Sequence, residues 1–172
     1  DGQNSYIGLA TMNMNFLNSV TPEPRSLLNS ISDWWGFIPV FFVALAFFIL
    51  GIYQLCHRKS LNKVDFNVIS LGFLYMALII FYLVFLKAPI NYRPNEPECS
   101  YPSSTTFLAI GILSSGIFNN YIYIKKKWIA HLVSGIELAY MLFLVVGRLL
   151  SGTHWLSDVI GGVLLGTSLF FI

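Results

Sequence analysis

Residues 36–56 (GFIPVFFVALAFFILGIYQLC) and 66–86 (FNVISLGFLYMALIIFYLVFL) contain no charged side chain. A hydrocarbon core of ~30 Å needs about 20 such residues at ~1.5 Å rise. Inside lipid, only a helix or a closed barrel satisfies every backbone N–H and C=O. These runs lack the polar–apolar alternation of a barrel strand, so they predict membrane-spanning helices. Residues 103–124 form a third run, uncharged but more polar. Residues 128–147 form a fourth and contain His131 and Glu137. A fifth, 159–172, reaches the last residue of the sequence. Five helices are therefore expected, in one all-α integral membrane domain over residues 36–172. Composition agrees: 56% of the 172 residues are hydrophobic and 10% are charged, against about 25% charged in soluble domains.

The basic residues predict an orientation. Arg58, Lys59 and Lys63 lie in the loop after the first run, and Lys125, Lys126 and Lys127 follow the third. Span counting puts these loops on one side, and the positive-inside rule makes that side cytoplasmic. Arg25, Lys87, Arg93 and Arg148 then fall on the outer side, with the N-terminal segment. Residues 1–35 read as an outer-surface amphipathic segment, carrying Phe16, Leu17, Leu27, Leu28 and Ile31. Trp34 and Trp35 read most simply as interfacial anchors of the next span. The charge asymmetry suggests a plasma membrane, as in a bacterial cell. A net charge of +2 gives no argument for nucleic acid as a partner. Cys56 and Cys99 fall on opposite sides and are not expected to pair.

Three polar clusters share the outer side. The first, KAPINYRPNEPECSYP (87–102), holds Lys87 and Arg93 among four prolines. Lys87 reads most simply as a snorkelling interfacial cation, and Arg93 as an anion-binding one. The second, PSSTT (102–106), opens a helix with Ser103, Ser104, Thr105 and Thr106 beside free N–H groups. Such a start is ordinarily an N-cap and is also a ready anion site. The third is RLLSGTHWLSD (148–158). Arg148 ends one helix, Gly152 breaks the chain, and His154 and Asp158 lie one turn apart on one face of the next. A carboxylate beside an imidazole fixes its tautomer and stabilises its charged form. Two arginines, a helix start and a His–Asp pair together suit a phosphate and a nucleophile. At a membrane surface that phosphate belongs to a lipid.

These clusters resemble the type 2 phosphatidic acid phosphatases, integral-membrane lipid phosphatases with the blocks K-x6-R-P, P-S-G-H and S-R-x5-H-x3-D. The third block reads G-R-LLSGT-H-WLS-D here, with both gaps kept and Gly147 in place of Ser; GG follows at 161–162. The first reads K-APINY-R-P, with Lys87 one residue too close. The second reads P-S-S-T, with Thr105 in place of His. The resemblance implies that His154 is the nucleophile and Asp158 its orienting carboxylate. It implies that Arg93 and Arg148 bind the phosphate with Ser103 and groups near Ser104 and Thr105, and Lys87 beside them. It implies no metal and no cofactor. It also implies six helices, so the first is expected upstream of Asp1.

Thr105 cannot do the work of the family's second-block His, which protonates the leaving group. Loss of a general acid typically costs about 10²–10⁴-fold. One reading keeps an enzyme whose substrate has a good leaving group, such as a prenyl diphosphate. Another substitutes Glu96 or Glu98 as the acid, although both read more simply as solvated charges. A third leaves a lipid-phosphate binder without turnover. A small transporter built around Glu137 is a further alternative, with less support, since no paired broken helices are evident. The reading preferred is a phosphatase acting on a lipid phosphate or diphosphate through a phosphohistidine.

Overall fold

The computed structural model describes residues 9–20, 25–88, 90–94 and 97–172. Two short helices, α1 (Leu9–Val20) and α2 (Ser26–Ser32), precede five longer ones. These are α3 (Trp34–Arg58), α4 (Phe66–Lys87), α5 (Ser104–Tyr123), α6 (Lys127–Leu150) and α7 (Leu156–Phe170). They match the five apolar runs, and the protein is an all-α integral membrane bundle. The stretch Ser26–Arg58, α4 and α6 are each long and apolar enough to cross a membrane. Basic residues close α3, where His57 and Arg58 complement the helix dipole and Lys59 takes the left-handed conformation.

The more polar third run has a structural reason. Helix α5 is the centre of the bundle, packed chiefly on α7 and α6 and also on α3 and α4. Twelve of its 20 residues are buried. A helix surrounded by protein does not need a lipophilic surface, and its polar groups find partners on its neighbours. The Tyr75 and Ser115 hydroxyls bond at 3.1 Å, and Asn119 donates to the Ser115 carbonyl at 2.9 Å. Leu78, Phe107, Leu113 and Leu144 join α4, α5 and α6 in one apolar core.

Helix α7 lies close against α5 because of its glycines. A Cβ on Gly162 would come 2.9 Å from the Ser103 carbonyl oxygen, and one on Gly166 2.7 Å from that of Phe107. The backbone contact sets α7, with Asp158 in its first turn, against the start of α5. There the Ser103 amide donates to the Asp158 carbonyl at 2.9 Å.

The two short N-terminal helices dock on the same end of the bundle, α1 on α7 and α2 on α6 and α3, while residues 1–8 and 21–24 of the expected amphipathic segment lie outside the described residues. Buried Asn13 donates to the Ser157 hydroxyl at 2.8 Å and accepts from its amide at 3.0 Å, capping α7 from a distance. The Arg25 amide donates to the Ser151 carbonyl at 2.9 Å. Trp34 and Trp35 are both exposed. At the opposite end Tyr123 of α5 donates to Asp65, which also pairs with Arg58 at 2.6 Å. The two basic loops therefore share that end, away from Arg148.

Candidate active site

Arg148, His154 and Asp158 are all buried, although each is ionisable. They sit at the turn between α6 and α7. Gly152, at a φ of 72°, supplies the left-handed residue that the turn needs. The Ser151 hydroxyl bonds the Arg148 carbonyl at 2.9 Å and the Thr153 hydroxyl at 2.8 Å, which fixes the turn.

His154 Nδ1 lies 3.6 Å from Asp158 Oδ2, within ion-pair range and slightly beyond hydrogen-bond length. Asp158 is held firmly. Its Oδ2 accepts from the Trp155 amide at 3.0 Å, and its Oδ1 accepts from Asn91 Nδ2 at 3.4 Å. Its place in the first turn of α7 also suits the positive end of that helix. Burial, more than any neighbour, pushes the His154 imidazole below its ordinary 6.5. Arg148 and Arg93 push the same way, and Asp158 opposes them. The ring is therefore neutral at pH 7, the state a nucleophile or base requires.

Arg148 is fully buried, yet its guanidinium is only half used. Nη1 donates to Asn29 Oδ1 at 2.7 Å and lies 3.5 Å from Asp33 Oδ2. Nε and Nη2, which form the opposite edge, meet no acceptor among the described residues. An unsatisfied buried donor costs about 1–3 kcal/mol, more when charged. That edge matches two oxygens of a tetrahedral anion.

Arg93 stands in a pinned loop. Its amide donates to the Glu98 carbonyl at 2.9 Å, and the Ser100 amide donates to the Asn91 carbonyl at 2.8 Å. Trp155 Nε1 donates to the Tyr92 carbonyl at 2.8 Å, tying the loop to the start of α7. The Arg93 charge acts on both Arg148 and His154. Ser103 is buried, and its hydroxyl accepts from Thr106 at 2.9 Å. Ser104 and Thr105 open α5, where the first-turn N–H groups lack intrahelical acceptors. The structure thus brings Arg93, Arg148, His154, Asp158, Ser103, Ser104 and Thr105 to one end of the bundle.

Lys87 differs. It is exposed at the end of α4, and its side chain makes no hydrogen bond or ion pair with a described residue. Glu98 is also exposed and pairs with Arg93 at 3.5 Å, and Glu96 lies outside the described residues. Among the described residues, no three His, Cys, Asp or Glu side chains cluster as metal ligands.

Three contributors were not singled out from the sequence: Asn29, Asp33 and Asn91. Asn29 and Asp33 stand four apart, one helical turn, and both reach Arg148. That spacing is the signal the sequence did offer. Asp33 also accepts from the Thr105 hydroxyl at 2.9 Å.

The family model for the PAP2 superfamily matches residues 85–172. No match was found among curated proteins. Among solved structures, the chain is similar to the crystal structure of the first transmembrane PAP2 type phosphatidylglycerolphosphate phosphatase from Bacillus subtilis. The TM-score is 0.69 at 17% identity, over 98% of this chain and 85% of that one. At that identity the likeness is one of fold.

Proposed function

The chain belongs to the PAP2 superfamily, and from that premise we propose that it is a membrane phosphatase for a lipid phosphate or diphosphate. One observation carries the reading: a fully buried Arg148 whose Nε and Nη2 meet no acceptor among the described residues, beside the turn that holds a His–Asp pair. A phosphoryl group bound there satisfies the donors and meets the nucleophile.

Arg148 and Arg93 hold the non-reacting phosphate oxygens, with the first-turn amides of α5. Asp158 engages the Nδ1 side of His154, leaving Nε2 to attack phosphorus. The P–N bond forms as the P–O bond to the lipid breaks, giving a phosphohistidine whose positive ring Asp158 stabilises. Water then displaces the histidine and releases inorganic phosphate. Phosphoryl transfer needs mainly positioning and charge neutralisation, and both are served by these groups. A prenyl diphosphate suits the site, because its leaving group is a phosphate monoester and needs little protonation. The two basic loops at the opposite end support a site facing away from the cytoplasm, in the plasma membrane.

The test is phosphate release from lipid mono- and diphosphates in detergent. The native chain is expected to release phosphate and His154→Ala to fall to background. Background rates from both proteins on every substrate would sink the reading and leave a lipid-phosphate binder in its place.

A further inference from the structure

We infer that Asp33 is the acid that Thr105 cannot be, donating the proton to the departing lipid oxygen; the assignment rests on the phosphatase reading. Thr105 stands where the resembled family has its proton-donating His. Here the Thr105 hydroxyl points to a carboxylate brought from another part of the chain, donating to Asp33 Oδ1 at 2.9 Å. The other oxygen, Oδ2, lies 3.5 Å from Arg148 Nη1, the same guanidinium whose Nε and Nη2 meet no acceptor among the described residues.

The other carboxylates fit less well. Asp158 is fully buried and already committed to the Trp155 amide and His154. Glu98 is mostly exposed, at 63%, and pairs with Arg93. The Asp33 side chain is 25% exposed, open enough to meet a substrate and still held on two sides. It stands at the junction of α2 and α3, where its own amide donates to the Asn29 carbonyl at 2.9 Å.

The charged group facing Asp33 among the described residues is Arg148 from α6. Arg93 and His154 interact electrostatically with that guanidinium. A bound phosphate brings further negative charge to that guanidinium. With phosphate bound, Asp33 and the substrate share that one cation, and the acid role requires that Asp33 hold a proton in that complex.

The step balances. His154 attacks phosphorus, the P–O bond breaks, and the Asp33 proton passes to the leaving oxygen, giving a neutral alcohol. The Asp33 carboxylate next takes a proton from the water that attacks phosphohistidine. Inorganic phosphate leaves, and the protonated acid is restored.

The experiment compares two substrates that differ in leaving group. Dodecyl phosphate expels an alkoxide and needs an acid, whereas p-nitrophenyl phosphate expels a stable phenolate and does not. Asp33→Asn is expected to lower dodecyl phosphate turnover by about 10²–10⁴-fold, and p-nitrophenyl phosphate turnover by less than about threefold. Asp33→Glu is expected to restore part of the dodecyl phosphate activity. The p-nitrophenyl rate also reports folding. Equal losses on both substrates would reduce Asp33 to a support for Arg148, and no loss on either would remove it from the reaction. His154→Ala separates the two claims. If it is inactive on both substrates while Asp33→Asn is silent, the acid assignment fails and the phosphatase reading stands. If the native chain turns over neither substrate, both fail together.

Discussion

Helix α6 buries two ionisable residues about three turns apart, and they are treated in opposite ways. Glu137 is matched: Asn120 of α5 donates to its Oε2 at 2.9 Å and also reaches Ser134 at 3.3 Å. Arg148 is not matched, since Nε and Nη2 are buried without an acceptor among the described residues. A satisfied polar group inside a bundle holds helices together. An unsatisfied charged one persists only if something else offsets its cost of about 1–3 kcal/mol or more. The contrast fits a structural role for Glu137 and supports the phosphate-binding role proposed for Arg148.

The largest expected effect tests the Arg148 side. Arg148→Lys keeps the charge and loses the two-donor edge, so kcat/KM for lipid phosphate is expected to fall by about 10²–10³-fold. Glu137→Gln is expected to leave it essentially unchanged. The same pair separates in thermal unfolding. Inorganic phosphate at a hundred times its Kd stabilises a binding-competent chain by about 2.7 kcal/mol. That shift is expected in the native chain and in Glu137→Gln, and is expected to vanish in Arg148→Lys. Equal behaviour of the two variants would erase the contrast.

The next effect is in pH. Burial lowers the His154 value below 6.5, so activity should hold as pH falls through 6.5 and decline only further down. Below the folded-state value it drops about tenfold per pH unit, as the neutral imidazole is lost. Stability has the matching sign. Between the folded value and 6.5 the unfolded chain binds the proton and the folded chain resists it, so stability is lost as pH falls through that window. Asp158→Asn removes the influence that raises the His154 value. Its acid limb should therefore lie at still lower pH than that of the native chain, assayed on one substrate so that the titration of the phosphate cancels. An acid limb displaced upward would mean that Asp158 does not act on the imidazole.

Much of this was legible because it is local. Run length alone predicts α3, α4 and α6, and the eleven residues RLLSGTHWLSD carry the turn, the proposed nucleophile and its carboxylate together. What was not legible depends on which helix faces meet. Asn29 reaches Arg148 across 119 positions, and Asp33 reaches Thr105 across 72. No spacing rule connects residues so far apart. Asp33 also stands beside Trp34 and Trp35, whose reading as interfacial anchors drew attention from the carboxylate next to them. Thr105, met alone, reads as a missing acid; beside Asp33, it reads as the other half of a replacement. For Glu137, the sequence shows only a carboxylate within an apolar run; its partner comes from another helix. Asn120 is that partner, about four turns from the polar end of α5.

The smallest effect concerns that pair. Interhelical hydrogen bonds in membranes are weaker than their low-dielectric surroundings suggest, because the unfolded helices in lipid also find partners. A double-mutant cycle through Asn120→Ala and Glu137→Ala is expected to give a coupling near 0.6 kcal/mol, and no more than about 1.7. The single variants lose stability and retain phosphate release. A coupling near zero would mean that the 2.9 Å contact contributes nothing, and Glu137 would then need the functional role that its partner now makes unnecessary. Flux across liposomes, abolished by Glu137→Gln and indifferent to His154→Ala, would be the sign of that role. It would also reverse the assignment of the two α6 residues, leaving Arg148 as the structural one.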